Sequence, residues 1–271
     1  MRNFIDRLVN GITMYKLIMY YLLGLWVAAA ILSFFGVFSF DILSLASSSF
    51  VILVSCLLTN FVFSKVFKVP VNIESAYITA FILILIITPV APFDPSGLGF
   101  LIWASVWSMA SKYMFAINKK HIFNPAAFAV ALTALTLNQS ASWWVGTSYM
   151  LPFVLLGGIL VARKIHRFDL VISFVVAALI TIFGFSIFQT NILVTLQKVI
   201  LHTPLLFFVF VMLTEPLTTP PTRSLRIYYG ILVGFLFSPA IHIGSFYFSP
   251  ELALLTGNIF HILSVRMENI F

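Results

Sequence analysis

Between Lys16 and Asp41 the chain runs 24 residues without a charge. That is longer than the apolar core of a signal peptide, about 7–15 residues, and matches the roughly 20 residues a helix needs to cross hydrocarbon. Comparable apolar stretches follow almost to the carboxyl end. Among 271 residues there are only 15 basic and 8 acidic side chains, and 61% of the chain is apolar, against about 25% charged and 45–50% apolar in soluble domains. A chain so composed must use lipid as part of its solvent. Segments such as Phe81 to Ile87 lack the polar alternation of a barrel strand, and a spanning segment must satisfy its own backbone, so the spans are expected to be helices.

Charges, prolines and glycines divide the chain into ten apolar segments, about 17–40, 42–63, 75–90, 97–115, 124–138, 149–162, 170–188, 199–214, 227–241 and 250–264. The expected fold class is therefore an all-α polytopic membrane protein with ten transmembrane helices. The basic residues support the count. Arg2, Arg7 and Lys16, then Lys65 and Lys68, then Lys112, Lys119 and Lys120, then Arg163, Lys164 and Arg167, then Arg223 and Arg226, and finally Arg266 fall on one side of an alternating path. The intervening loops carry only Lys198. By the positive-inside rule both termini are expected to be cytoplasmic, in a protein integral to the cytoplasmic (inner) membrane. No basic cluster is interleaved with aromatics, so the net charge of +7 marks topology in a lipid bilayer and no nucleic-acid partner is expected. The single cysteine, Cys56, excludes an intrachain disulfide and a CxxC pair, so redox chemistry would need a bound organic cofactor.

The chain repeats itself weakly. Thr88-Pro89 closes the third segment and Thr214-Glu215-Pro216 closes the eighth, with Pro89 and Pro216 127 residues apart. Phe123-Asn124-Pro125 opens the fifth and Phe248-Ser249-Pro250 opens the tenth, an offset of 125. Five spans separate each motif from its copy, and five is odd, so the second half is expected to be inverted. We therefore expect two inverted five-helix repeats, residues 1–140 and 141–271, in a single membrane domain.

In such proteins, proline-interrupted segments at equivalent places in the two halves border a cavity. Asn124 before Pro125 and Ser249 before Pro250 suit helix N-caps, whose free N–H groups also attract phosphate or the electron-rich edge of a flavin. Glu215 and Glu251 are the carboxylates nearest to apolar cores, where ionisable groups are functional candidates. Their plainer roles are a pairing of Glu215 with Arg223 or Arg226, and a favourable charge at a helix N-terminus for Glu251. Thr214, Thr218, Thr219 and Thr222 offer hydroxyls around Glu215. The histidines at 121, 166, 202, 242 and 261 share no helical ligand spacing, so no metal site is expected. Trp143, Trp144 and Tyr149 suit an interfacial aromatic belt, or alternatively a stacking surface.

Taken in order, Phe123-Asn124-Pro125-Ala126, Gly157-Gly158 with Arg163 and Arg167, Thr214-Glu215-Pro216, and Pro250-Glu251 with Gly257-Asn258 resemble the landmarks of the RnfD/NqrB family. The resemblance spans about residues 120–262 and implies a membrane subunit of a flavin-dependent electron-transport complex, coupled to Na+ or H+ translocation. It implies two inverted five-helix halves, and as partners other membrane subunits or a reductase flavoprotein. It points to Asn124, Pro125, Thr214, Glu215, Thr218, Thr219, Ser249, Glu251 and Asn258 as cofactor-binding candidates. Two departures stand out. Glu215 replaces the family's usual Asp, and the Ser/Thr-Gly-Ala-Thr motif that carries covalent FMN is missing, the region reading Val145-Gly146-Thr147-Ser148. FMN or riboflavin is therefore expected without a covalent bond. The alternative function is a permease or channel for a small, flavin-type solute using the same cavity.

Overall fold

The computed structural model describes residues 11–117, 120–186, 194, 197, 199, 204–238, 241–244 and 246–268. Helices begin where a short polar side chain precedes an apolar run, because that side chain satisfies an otherwise unpaired first-turn N–H. Helix α1 is Met14–Phe34, capped by Thr13, and α2 is Ile42–Val66, capped by Asp41. Hydrogen bonding from the Ser44 side chain and amide holds the Asp41 carboxyl below its ordinary range. Asn72 caps α3, Ile73–Ile86, and Asp94 caps α4, Pro95–Met114. A short hairpin, β1 Ala116–Ile117 with β2 Lys120–His121, leads to α5, Pro125–Leu137.

The second part of the chain holds α6 Leu151–Lys164, α7 Phe168–Ser186, and α8, which starts as Leu205–Phe207 and continues in π geometry over Phe208–Leu213. Then come α9 Arg223–Leu236, a second hairpin of β3 His242–Ile243 with β4 Phe246–Tyr247, and α10 Pro250–Glu268. Each of the ten apolar segments overlaps one of these helices, although the eighth is described mainly from residue 204 onward. Arg2, Arg7, Lys119, Lys198 and His202 lie outside the described residues. The two hairpins are additions that apolar patterning does not signal.

Among the described residues three helices, α1, α2 and α7, are long and apolar enough to cross a membrane. By contrast α3, α6 and α9 have 14 residues each and α5 has 13, about 20 Å at 1.5 Å per residue against a hydrocarbon core of about 30 Å. Large apolar side chains such as Phe34, Phe50, Leu58 and Ile180 are exposed on the outside of the bundle, as lipid contact requires.

Helix α1 packs on α3, α2 on α3 and α4, and α4 on α5; in the second part α6 packs on α8, and α9 on both α7 and α10. The two parts join where α5 meets α10 and α1 meets α6. Glycines permit the tightest of these approaches. A Cβ at Gly234 of α9 would lie 2.5 Å from the Phe174 carbonyl oxygen of α7, and one at Gly158 of α6 would lie 2.5 Å from the Phe210 ring. Beside these contacts Phe174, Phe208 and Phe237 form a buried aromatic cluster with centroids 5.1–5.4 Å apart.

The end of α3 explains the tryptophans. Its terminal carbonyls have no helical partner, and Trp144 Nε1 donates to Ile84 O and Ile87 O at 3.0 Å, while the Ser142 and Trp143 amides donate to Ile86 O. Trp143 and Trp144 are each 7% exposed. The aromatic-belt reading is therefore corrected for these two: both are buried, the Trp144 indole N–H and the Trp143 amide meeting carbonyls where the helix stops short. Tyr149 is exposed.

Candidate functional site

Residues from three distant parts of the chain converge where α5 begins, α8 ends and α10 passes between them. Asn124 is the N-cap of α5: its Oδ1 accepts from the Ala127 amide at 3.0 Å. Pro125 in the first turn has no N–H to leave unpaired. The capping bond leaves the Asn124 Nδ2 group free to donate to Glu215 Oε2 at 2.9 Å. The Asn124 amide donates to Asn258 Oδ1 at 2.9 Å. Asn258, with no exposed surface, donates through Nδ2 to Thr218 O at 3.2 Å and to the Tyr229 hydroxyl at 3.0 Å. One amide side chain thus ties α10 to the start of α5, the connection after α8, and α9.

Glu215 is the acceptor at the centre. Its Oε1 lies 2.9 Å from His121 Nε2, and the Thr218 hydroxyl approaches Oε2 at 3.4 Å. Thr219 donates its hydroxyl to Glu215 O at 2.9 Å, and Thr214 donates to Phe210 O at 2.8 Å. The threonines therefore shape the turn more than they offer free hydroxyls. Burial works against ionisation of Glu215, yet His121 and, at longer range, Lys112 outweigh it and hold the carboxyl below its ordinary range. The proposed partners Arg223 and Arg226 are not its partners: Arg226 Nε donates to Asp169 Oδ2 at 2.8 Å. Arg226 follows its own helix α9 onto α7, where Asp169 lies in the first turn.

Glu251 lies elsewhere. It is 3% exposed, accepts from Trp143 Nε1 at 3.1 Å through Oε1, and leaves Oε2 buried without a partner among the described residues. Seven residues separate it from Asn258 on α10, about 10 Å along the axis, so one helix carries two polar stations. Ser249 caps the start of that helix, its Oγ accepting from the Leu252 amide at 3.4 Å. The structure thus brings together Asn124, Pro125, Glu215, Thr218, Thr219 and Asn258, with Thr214 just behind them, and sets Ser249 and Glu251 against the Trp143 turn.

A cavity of about 770 Å³ opens beside His121, lined among others by Asn60, Asn72, Glu74, Lys112 and Tyr113. Lys112 Nζ donates to Ser75 O at 2.8 Å and to Ser75 Oγ at 3.0 Å, and the Tyr113 hydroxyl donates to Asn60 Oδ1 at 2.7 Å. A narrower pocket lined by Ser75, Asn124, Pro125 and Glu215 adjoins it. Among the described residues no group of three or more His, Cys, Asp or Glu side chains has metal-binding geometry. Sequence reasoning missed His121, Lys112 and Tyr229. Only the closeness of His121 to the Asn124-Pro125 motif hinted at the first, and no local pattern marks the others. No family model matches the chain, and no curated protein is significantly similar to it.

Proposed function

We propose that this chain is a membrane subunit of the RnfD/NqrB type, which holds a flavin and relays electrons within an electron-transport complex in the cytoplasmic membrane. The observation that carries the reading is the convergence on Glu215: Asn124-Pro125, Thr214-Glu215-Pro216 and Asn258, motifs far apart in the chain that carry the resemblance, meet through hydrogen bonds of 2.9–3.2 Å. Residues separated by some 90 and 134 positions share one buried network. Such a network pre-organises a wall of fixed polarity beside a cavity.

Several features support a ten-span inverted repeat. The packing of α2 with α4, α4 with α5 and α1 with α3 recurs as α7 with α9, α9 with α10 and α6 with α8, and the two joining pairs, α5 with α10 and α1 with α6, are equivalent helices of the two halves. The hairpins recur too: Ala116 pairs with His121 and His242 with Tyr247, each 126 residues on, immediately before an X-Pro helix start. Short helices that end at prolines inside a bundle fit re-entrant or broken spans.

The residues beside the cluster fit a flavin. The 770 Å³ cavity has room for the ring system, Tyr113 and Phe67 line it, and Lys112, with two of its three protons engaged, keeps one N–H for an acceptor on the ring. A bound flavin supplies the capacity to accept and release electrons. The protein supplies the cationic and amide donors that orient it, with Glu215 setting the charge of the adjoining wall. Coupling to Na+ or H+ and docking to other membrane subunits or a reductase flavoprotein belong to the same proposal. Noncovalent attachment belongs to the same proposal, supported by the burial of Thr147 Oγ1, which has no partner among the described residues.

The visible spectrum of the purified protein, before and after acid precipitation, tests this. Flavin absorbance that moves to the supernatant in acid is the expected result. A fluorescent band at the protein's own mass on a denaturing gel would show covalent flavin. A second reading is favoured by the open side of that cavity and the missing attachment motif. In this reading the chain is a permease for a small solute, and a colourless preparation that moves riboflavin into liposomes establishes it instead.

A further inference from the structure

A second cavity, of about 510 Å³, lies between the β1–β2 hairpin, the 216–221 connection and the last turns of α10. We propose that it is a binding site for a phosphate group carried on an apolar body, independent of whether the protein carries a flavin. Among the described residues its charged lining is of one sign: Lys120 and Arg167 both face it, together with His121, His261 and Thr219, and no carboxylate lines it. Of the described carboxylates nearby, Asp169 pairs with Arg226, and Glu215 is held by His121 and Asn124.

Arg167 is held in place for the task. Its Nη1 donates to Thr219 Oγ1 at 3.0 Å and to Pro220 O at 2.9 Å, which fixes the guanidinium plane. Its Nε and Nη2 donors have no partner among the described residues, and they form the fork that matches two oxygens of a phosphate. Lys120 is exposed and likewise has no partner among the described residues. His261 Nδ1 is buried and has no hydrogen-bond partner among the described residues. An unpaired buried nitrogen costs free energy unless a ligand or water meets it.

The rest of the lining decides what the phosphate is attached to. Ile117, Leu217, Ile262 and Val265 form an apolar wall. Cationic donors beside an aliphatic wall, at the end of a membrane bundle, suit a phosphate on a hydrophobic carrier. Two sources share that chemistry, the headgroup of an anionic phospholipid and a soluble organic phosphate.

The full chain, purified in neutral detergent, is titrated with dioctanoyl-phosphatidylglycerol, with dioctanoylglycerol and with inorganic phosphate, and bound ligand is counted by native mass spectrometry. Saturable binding of one phosphatidylglycerol, without binding of dioctanoylglycerol, is expected. Failure of millimolar inorganic phosphate to displace it assigns the site to the membrane lipid, and displacement assigns it to a soluble phosphate. Lys120→Gln, at an exposed position that leaves the packing intact, should weaken binding about fivefold, and Arg167→Lys should weaken it while keeping the charge, because the fork is lost. Equal binding of dioctanoylglycerol, no saturable binding of either phosphate probe, or unchanged affinity in both variants would overturn the proposal. The spectrum that tests the flavin reading is a separate measurement, so either reading can fail alone.

Discussion

Replacing Glu215 by Ala should destabilise the bundle. The carboxylate accepts from Asn124 Nδ2 and faces His121 Nε2, both at 2.9 Å. These partners are 2% and 8% exposed, so truncation strands two polar groups where water has little access. Each stranded group costs about 1–3 kcal/mol, which gives about 2–6 kcal/mol for the pair. The Glu215 side chain is 24% exposed, so water entering from its open edge recovers part of the loss, and about 3 kcal/mol is expected. Glu215→Gln retains one acceptor oxygen for Asn124 and presents an amide to His121, whose neutral ring accepts through Nε2 when the proton is on Nδ1. Its cost should be about 1 kcal/mol. The assay is reversible unfolding in mixed micelles, with the order wild type, Gln, Ala in decreasing stability. Asn124→Ala, measured alone and combined with Glu215→Ala, completes a double-mutant cycle with an expected coupling of at least about 1 kcal/mol. If Glu215→Ala unfolds at the same midpoint as the parent, or the cycle shows no coupling, the network does not hold these segments together.

Three further outcomes follow from the packing. Gly234→Leu must push α9 away from the Phe174 carbonyl and should cost about 1–3 kcal/mol, read as a lowered unfolding midpoint, whereas Gly184→Leu, with no neighbour within 4 Å of its Cβ position, should leave the midpoint within experimental error. Trp143→Phe keeps an aromatic ring, smaller than the indole, but removes the one donor to Glu251 among the described residues; it should lower stability by about 1–3 kcal/mol, and Glu251→Leu in the same background should recover part of that loss. Single cysteines at the exposed positions Ser142 and Ser224 should react with an impermeant maleimide from opposite sides of the membrane. Reaction of both from one side would refute the ten-span path and the inverted repeat.

What local chemistry writes into a chain is readable. Asn124 before Pro125 announces a cap, and it is one, because a cap needs only a short polar side chain and the amide three residues on. The apolar runs announce where helices lie for an equally local reason, since backbone in lipid must bond to itself. The limits of those helices are less legible. Apolar patterning extends the third segment to residue 90, yet α3 stops at Ile86, and its stop depends on Trp143 and Trp144, more than fifty residues away.

The same division runs through the candidate site. Composition and neighbours a few residues apart suffice to place the chain in lipid, to start its helices at Thr13, Asp41, Asn72, Asp94 and Asn124, and to set Glu215 in a turn rich in hydroxyls. It takes the folded bundle to make Glu215 face His121 and Asn124 and turn away from Arg226, to let Asn258 join three segments, and to match Glu251 with an indole. The partner of a buried polar group is set by which helices pack in contact. That packing depends on glycines such as Gly230 and Gly234 letting backbones approach, a long-range geometry that no local pattern along the chain encodes.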